Sequence, residues 1–406
     1  MVSRNVLTAV LVVLIVVAGV VGYFAGSSAV PPPKTVTITT TVGVPGTPTT
    51  MTTTVTQKFT ETVTIAATPG KVYRWRMVSH FSAGDPRYEP VKYFTELVKN
   101  MSGGRLIIDL YPAGELFPVP QTLEAVAKGV IEIAEIYTGY WTAQDPVMGL
   151  AGCKPGPLKR PHETWYYYFA EEDLIKKHIE AFGVKYIAPL SFGAHEILIC
   201  RSPVRGLDDL KGKIIRSSGL SAVYYEMLGA KTVQLMAGEL YTALQLGTVD
   251  CLEWTDYEGD YRLGLHEVAK YVLEAPTNGT THSEALIDVI LIANPKAWSE
   301  LPDDLKEIVK GAAQATLMWG SYRIWTGADL YGRELWVKAG AQIVTLSPED
   351  TIKAMNTTIK LHIEYAKKSP DAREYVVRLV KIWRDLGYTS WADALEKALK
   401  AEGLLS

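Results

Sequence analysis

The sequence predicts an α/β protein with two similar lobes and a long helix that bridges the lobes. Apolar strands alternate with amphipathic helices from residue 73 onward, and one helix–glycine–strand pattern occurs twice. A third observation is the helical stretch over residues 302–338, which at about 1.5 Å per residue is too long for one lobe. The strand–helix–strand order implies right-handed crossovers and mostly parallel sheets.

The first 30 residues predict an N-terminal membrane anchor or signal segment. Residues 6–26 are almost wholly apolar, about 20 residues in all, and Arg4 precedes them. A retained anchor and cleavage near residues 26–29 remain alternatives, and both place the rest of the chain outside the cytoplasm. Residues 31–70 are rich in Thr, Val and Pro, and they predict a solvated, disordered linker.

Residues 71–406 are expected to form the folded domain. We divide it into lobe 1, mainly 71–192, lobe 2, mainly 193–293, and the long helix with the C-terminal helices, 294–406. The formal net charge of −3 leaves no basic field for nucleic acid. Three cysteines, Cys153, Cys200 and Cys251, form no CxxC pair and do not indicate a disulfide framework.

The hydrophobic periodicity and the turn residues set the element bounds within this domain. In the first predicted helix, for example, Val91, Phe94 and Val98 recur at helical spacing, and Gly103 and Gly104 follow its end. Strands are predicted at 73–78, 105–111, 130–137, 184–189, 196–200, 213–217, 231–235 and 248–254. Helices are predicted at 86–101, 121–128, 222–228, 239–246, 302–338, 348–367, 370–386 and 391–401.

The repeated pattern has the form A-x-x-x-G-x-[IV]-[DE]-x-x-E and occurs at residues 125–135 and 243–253. We interpret it as evidence of two similar lobes; chance similarity of two helix–glycine–strand joints is the alternative. The first copy leads to Tyr140 and the second to Trp254. Because ligands bind at the carboxyl ends of strands in open parallel sheets, the two copies predict an aromatic-walled cleft.

Arg216, Glu253 and Trp254 are the strongest candidates for ligand contact. Arg216 ends a predicted strand, and its planar guanidinium matches a carboxylate with two parallel hydrogen bonds. Glu253 can hold a cation or a hydroxyl, and Trp254 can form a wall. Each has an alternative interpretation: Arg216 is a surface charge on an edge strand, Glu253 lies on a solvated face, and Trp254 is a hydrophobic core residue. Together the three residues suit a small organic anion.

Five weaker candidates complete the predicted site. Tyr140 belongs either to the cleft or to packing, and His80 and Tyr88 are candidate contacts from the first lobe. His195 and Glu196 are adjacent on a predicted strand, so they face opposite sides and only one is expected to contact the ligand.

Motifs for catalysis are absent from the sequence, which predicts a binding protein rather than an enzyme. His162, His195 and His266 each precede a glutamate, but none has the second histidine of the zinc-protease motif. No Gly-x-Ser-x-Gly motif and no paired-cysteine metal site occurs.

From residue 73 to the C-terminus the chain resembles the DctP-like solute-binding proteins of TRAP transporters. The segments that carry the resemblance are 104–108 with 111–116, 124–129 with 139–141, 202–216, 250–254 and 294–302. The resemblance implies a two-lobe, periplasmic-binding-protein-like fold. It also implies an extracytoplasmic receptor that closes on a carboxylate and delivers it to a membrane permease.

The resemblance further implies that Arg216 pairs with the ligand carboxylate. The Glu253–Trp254 pair resembles the branch that binds 2-oxo and 2-hydroxy acids, such as pyruvate or lactate, with a bridging sodium or calcium ion. The expected metal ligands are Glu253, Glu196 and Trp254. The branch has a glutamine where this chain has His195 and Glu196, and a glutamate there favours calcium.

The same branch implies a homodimer formed through the long helix. Two other functions remain as alternatives: an extracytoplasmic sensory ligand-binding protein, and a receptor for another acid, such as a sugar acid or a sulfonate, on the same fold.

Overall fold

The computed structural model describes residues 34–42, 49–57, 71–153, 155–158, 161–192, 197–275 and 288–406. The chain divides into two compact units, Met1–Pro69 and Gly70–Ser406. The predicted anchor at residues 6–26 lies outside the described residues. Within the described ranges, no helix is long and apolar enough to cross a membrane.

The first unit contains two strands, β1 (Lys34–Val42) and β2 (Thr49–Gln57). They pair antiparallel, with Lys34 opposite Gln57. Their many threonines are β-branched and favour an extended backbone. The structure therefore differs here from the expected disordered linker, because these residues form a paired ribbon.

The second unit contains eleven further strands among its described residues. They are β3 (Tyr73–Val78), β4 (Leu106–Tyr111), β5 (Ile133–Ile136), β6 (Lys185–Phe192), β7 (Leu198–Cys200), β8 (Ile214–Arg216), β9 (Lys231–Val233), β10 (Cys251–Glu253), β11 (Tyr271–Glu274), β12 (Asp288–Ala293) and β13 (Gln342–Thr345).

The helices of this unit fall into those between the strands and those near the C-terminus. The first group is α1 (Tyr88–Met101), α2 (Thr122–Ala127), α3 (Pro146–Gly152), α4 (Pro161–Glu180), α5 (Gly219–Met227), α6 (Leu240–Leu246), α7 (Tyr257–Arg262), α8 (Leu265–Val268) and α9 (Pro295–Glu300). The second group is α10 (Asp303–Thr326), α11 (Arg333–Lys338), α12 (Pro348–Ala366), α13 (Pro370–Asp385) and α14 (Thr389–Ala401). Short 3₁₀ turns cover Val119–Gln121, Thr138–Trp141, Leu207–Leu210 and Ala237–Glu239.

The strands form two mixed sheets, as the predicted α/β class requires, with orders β4-β3-β5-β12-β6 and β13-β11-β7-β10-β8-β9. The prediction of mostly parallel sheets is wrong at β7 and β12, which run antiparallel to their neighbours. In chain order, β7 follows β6 of the other sheet and β12 follows β11 of the other sheet. Neither is the second strand of a βαβ unit within one sheet, so the constraint that makes such units parallel does not apply. The predicted lobe boundaries stay a prediction.

The core is built from the predicted apolar faces. In β3, Trp75 and Met77 are buried, whereas the alternating side chains of Arg74 and Arg76 are exposed. In α1, Val91, Phe94 and Val98 are buried at helical spacing and pack in the same core. The 20-residue helix α4 had no sequence prediction, because its aromatic residues do not segregate to one face.

The long helix bridges the two sheets, as predicted. Helix α10 packs on α1 and β6, continues through a π-helical segment, Gly327–Gly332, and ends in α11. The π segment and α11 pack on α7 in the second lobe. A Cβ on Gly332 would lie 2.5 Å from the Glu258 amide nitrogen, so this close approach requires glycine. Trp336 donates a hydrogen bond to the Tyr257 carbonyl at 2.8 Å and fastens α11 to the second lobe.

The repeated sequence pattern corresponds to a repeated structure. Helix α2 joins β5 through Gly129, and α6 joins β10 through Gly247, with φ values of +72° and +77°. Both values lie in the left-handed region that favours glycine. Glu135 and Glu253 occupy the third position of the strands that follow these two joints. The two lobes therefore place a glutamate at equivalent points.

The expectation of no disulfide is wrong, because Cys200 and Cys251 form one. The two residues lie directly opposite each other in the antiparallel β7–β10 pair. They are 51 residues apart, so only the tertiary pairing of the strands shows that they meet. Cys153 is buried outside this disulfide, and its Sγ accepts a hydrogen bond from the Leu220 amide at 3.2 Å.

We expect the double variant Cys200→Ala/Cys251→Ala to unfold more easily than the wild type. Opening a loop of 51 residues restores chain entropy to the unfolded state, a loss of about 4 kcal/mol in stability. Urea unfolding with and without reductant measures the effect. Reductant should lower the wild-type midpoint and leave the variant unchanged; an equal effect of reductant on both proteins would contradict the prediction.

Candidate functional site

A cleft lies where the carboxyl ends of β3, β5, β8 and β10 meet. Its lining residues come from both lobes: His80, Phe81, Arg87, Tyr137, Tyr140, Arg216, Ser218 and Trp254. The cavity left between them is only about 20 Å³, so the two lobes are closed around the cleft in this structure.

Arg216 is buried at the floor of the cleft, with 2% of its surface exposed. Its Nε donates to the Leu235 carbonyl at 3.0 Å, and Nη1 donates to the Glu253 carbonyl. Its Nη2 has no hydrogen-bond partner among the described residues. A buried guanidinium with one unpaired edge is costly unless a ligand completes it.

Glu253 is buried beside Arg216 and accepts a hydrogen bond from the Ser217 hydroxyl, Oγ to Oε2, at 2.6 Å. The charge of Glu253 also affects the pKa of the nearby Tyr224 hydroxyl. Burial raises the pKa of the Tyr224 hydroxyl, and the nearby Glu253 carboxylate raises it further. Glu253 therefore places negative charge in a largely water-excluded part of the second lobe.

Trp254 connects the two lobes across the cleft. Its indole Nε1 donates to Asp85 Oδ2 at 3.3 Å, and the Arg216 guanidinium lies 4.5 Å from its ring centre. Asp85 in turn accepts from Arg87, at 3.0 Å from Nε and 2.9 Å from Nη2. Burial pushes the pKa of Asp85 upward, but the charge and hydrogen bonds of Arg87 outweigh burial and hold that pKa below its ordinary value.

The first lobe contributes a histidine and two tyrosines. His80 Nδ1 lies 2.8 Å from Glu135 Oε1, although the approach lacks the angle of a good hydrogen bond. The Tyr140 ring meets the Tyr137 ring edge-on at 5.1 Å and the His80 ring at 6.1 Å. These aromatic contacts hold the first-lobe wall of the cleft in place.

The predicted site residues have different outcomes in the structure. Arg216, Trp254, Tyr140 and His80 line the cleft, and Glu253 lies directly beside it. Tyr88 does not line the cleft, because the first turn of α1 buries it in the core of the first lobe. Burial raises the pKa of Tyr88, and the charges of Glu115 and Glu135 add to the effect. His195 and Glu196 lie outside the described residues.

Sequence reasoning missed several residues of the cleft, namely Phe81, Asp85, Arg87, Glu135, Tyr137, Ser217 and Ser218. Glu135 could have been found, since it occupies the position of Glu253 in the repeated pattern. No local signal marks Asp85 and Arg87, whose place follows from the loop between β3 and α1.

The residues around Glu253 are suited in part to a hard metal ion. Carboxylate and carbonyl oxygens are the donors that sodium and calcium prefer, and Glu253 and Trp254 offer both kinds. Within the described part of the chain, no three His, Cys, Asp or Glu side chains form a group that could hold a metal. A complete site therefore needs donors from elsewhere, such as the predicted Glu196 or the ligand itself.

A buried acidic group lies next to the cleft on α7. Asp256 caps this helix, accepting hydrogen bonds from the amides of Glu258 and Gly259. Asp260 is fully buried, and neither carboxylate oxygen has a hydrogen-bond partner among the described residues. Burial raises the pKa of Asp260 well above its ordinary value, and the charge of Asp256 adds to the rise.

Comparison with known proteins identifies the family. The model of DctP, the bacterial extracellular solute-binding protein family 7, matches residues 77–368. The chain belongs to this family. One DctP-family relative is the monocarboxylate 2-oxoacid-binding periplasmic protein all3028 of Nostoc sp., which is 29% identical over 298 residues. That match covers 73% of this chain and 80% of the relative.

Solved structures of TRAP periplasmic solute-binding proteins share the fold. One from Colwellia psychrerythraea, with bound calcium and pyruvate, has a TM-score of 0.71 at 23% identity and covers 82% of this chain and 100% of its own. One from Pseudoalteromonas atlantica, with bound sodium and pyruvate, has a TM-score of 0.69 at 24% identity, covering 80% of this chain and 98% of its own. The two-lobe receptor fold predicted from the sequence is thereby confirmed.

We expect Asp260→Asn to stabilise this DctP-family protein at neutral pH. The folded protein holds a proton on Asp260 that the unfolded chain releases above the ordinary pKa of 3.8. The resulting stability is complete below that value and is lost as the pH rises toward the raised folded pKa. At pH 7 the variant should gain at least about 1 kcal/mol, measured by thermal and urea unfolding from pH 4 to pH 8.

Asp85→Asn provides the opposite control in the same pH series. The folded pKa of Asp85 is lowered, so its stabilisation is present above the ordinary value and is lost as the pH falls through the folded one. Removing this charge from buried Arg87 should cost about 3 kcal/mol at pH 7. Changes of the same sign in the two variants would contradict both assignments.

Proposed function

We propose that the protein is the extracytoplasmic solute receptor of a TRAP transporter for a small 2-oxo or 2-hydroxy monocarboxylate, such as pyruvate or lactate. The observation that carries the proposal is the buried Arg216, which lines a small aromatic cleft and whose Nη2 has no hydrogen-bond partner among the described residues. The receptor binds its ligand, performs no chemical step and passes the ligand to a membrane permease. Its N-terminal segment either anchors it to the membrane or is removed by cleavage.

The charges in the cleft favour one carboxylate over two. Arg87 is paired with Asp85, and His80 faces the carboxylate of Glu135. Arg216 uses two of its donors on backbone carbonyls, which carry no formal charge to neutralise it. Arg216 makes no ion pair with a carboxylate in the described ranges, so a single ligand carboxylate can take this place while the proposed ion offsets the charge of Glu253.

A sodium or calcium ion beside Glu253 fits this arrangement. The Glu253 carboxylate and the Trp254 carbonyl would hold the ion, with Glu196, or His195 in its place, as the further protein contact. When bound, the ion supplies positive charge for the remaining carboxylate oxygen and the 2-oxygen of the acid. The relatives described with calcium or sodium and pyruvate support this proposal.

Closure of the lobes would complete the site. Trp254 reaches Asp85 across the cleft, and Arg262 of α7 contacts Glu89 of α1 at 3.0 Å. These contacts join the two lobes and exclude water from Arg216. Exclusion of water lowers the local dielectric and strengthens the contact between the guanidinium and the ligand carboxylate.

We also propose that the receptor forms a homodimer through α10. Met318, Trp319 and Tyr322 lie on this helix with exposed fractions of 62%, 41% and 72%. Such an exposed apolar patch on one helix suits a partner surface. A related structure from Bordetella bronchiseptica, 22% identical with a TM-score of 0.71 and covering 82% of this chain and 97% of its own, is described as a dimer.

Arg216→Ala should abolish most of the affinity for the acid. Truncating one partner of a buried, hydrogen-bonded charge pair costs about 2–5 kcal/mol, so the Kd for pyruvate should rise at least about 30-fold. Isothermal titration with pyruvate in calcium buffer measures this change. Arg74→Ala removes an exposed arginine and should leave the Kd unchanged. Binding by Arg216→Ala at wild-type affinity would refute the proposed role.

Glu253→Gln should weaken calcium binding while the fold remains intact. The amide keeps the size of the side chain but loses the charge, so calcium affinity should fall at least about 10-fold. A thermal-shift titration with calcium chloride, without any acid, gives the readout. Glu226→Gln, on an exposed helical position of the same lobe, is the matched control. Equal calcium responses in all three proteins would exclude Glu253 as a ligand.

Tyr322→Glu should dissociate the proposed dimer. A charge placed in an apolar interface is desolvated without a partner, whereas the same charge on a monomer stays in water. Light scattering after gel filtration should give twice the chain mass for the wild type and the single mass for the variant. Ile352→Glu, at an exposed apolar position outside α10, is the control. A monomeric wild type would refute the dimer.

A further inference from the structure

The two lobes share a serine–glutamate pair at equivalent strand ends. Ser79 follows β3 and donates to Glu135 Oε2 at 2.9 Å, while Ser217 follows β8 and donates to Glu253 Oε2 at 2.6 Å. Both glutamates follow the helix–glycine–strand joint of the repeated pattern. The first lobe therefore has its own counterpart of the Glu253 carboxylate.

In the first lobe, this carboxylate faces a histidine. Glu135 is fully buried, and His80 is 5% exposed. Glu135 Oε1 lies 2.8 Å from His80 Nδ1, and Oε2 accepts from the His80 backbone amide at 3.2 Å. The negative charge of a carboxylate at this distance favours a proton on Nδ1, although the angle of a good hydrogen bond is lacking. Glu135 thus favours the tautomer of the neutral ring in which Nε2 carries no proton.

The histidine ring is held as part of the cleft wall. It packs on Phe81 with ring centres 3.9 Å apart and stacks toward Tyr137 at 6.2 Å. Its Nε2 makes no hydrogen bond to any residue in the described ranges, although the ring lines the cleft. Nε2 is therefore a polar contact of the first lobe that a ligand can use.

We infer that His80 is the residue that recognises the 2-oxygen of the acid, and that Glu135 is its positioning residue. The inference rests on the proposed function. With a proton on Nδ1, Nε2 accepts a hydrogen bond from a 2-hydroxyl when the imidazole is neutral, and donates one to a 2-oxo group when it is protonated. An acid without the 2-oxygen leaves Nε2 without a ligand partner in the closed cleft, which selects against that acid.

The test compares acids that differ only at the second carbon: pyruvate, lactate and propionate. Isothermal titration should show that the wild type prefers pyruvate or lactate over propionate by at least about 10-fold. Glu135→Gln and His80→Gln should each lower the affinity for pyruvate and lactate at least about 10-fold more than the affinity for propionate, and any preference that remains is due to the ion. The double variant should show no further loss, because the two residues act as a unit. Glu132→Gln, whose side chain pairs with Arg76 near the start of the same strand, should keep the preference.

Two binding outcomes would overturn the inference: variants that keep the wild-type preference, and variants that lose affinity for all three acids equally, since the role would then be structural. Histidine NMR on ¹⁵N-labelled protein without ligand adds a readout independent of binding. The wild type should hold the His80 proton on Nδ1, and Glu135→Gln should redistribute it; identical spectra would refute the positioning role. If the wild type binds none of the acids, the proposed ligand class fails, and the NMR result alone decides the role of Glu135.

Discussion

The burial of Arg216 is the constraint on which the rest of the site depends. A guanidinium taken out of water must find oxygen partners, and the backbone carbonyls of Leu235 and Glu253 supply two of them. The carbonyls reach the guanidinium because β8 pairs on one side with β10, which places Arg216 beside Leu252, and on the other side with β9, which places it beside Val233. The remaining N–H edge and the Trp254 ring then form one site, where a bound small anion lowers the free energy of the folded protein.

The neighbouring charged side chains are paired with one another, so they do not compete with the ligand for Arg216. Asp85 neutralises Arg87 in the first lobe, and Glu135 faces His80. Trp254 touches both halves, with its ring on Arg216 and its indole N–H on Asp85. In the proposed function, this side chain couples lobe closure to binding of the ligand carboxylate at Arg216. The raised pKa of Asp260 fits this picture, since a further buried negative charge would compete with the ligand.

Particular residues show how far the sequence alone could lead. Arg216, Trp254 and Tyr140 were predicted for the cleft and line it, because strand ends and aromatic residues leave a local signal. Tyr88 was predicted to contact the ligand, but it is buried in the core. Its position around the helix axis, and not its nearness to His80 in the sequence, decides where its side chain points. Arg87 was missed because its position depends on a loop whose path no periodicity encodes.

The sequence by itself determined the α/β class, the long helix and the family, since hydrophobic periodicity and segment motifs are local properties. It also held the repeat that places Glu135 and Glu253 at equivalent strand ends. Only the tertiary structure decided which strands run antiparallel, that Cys200 meets Cys251, and that Glu135 faces His80. These features arise from contacts between residues about 50 or more positions apart, for which local chain chemistry carries no information.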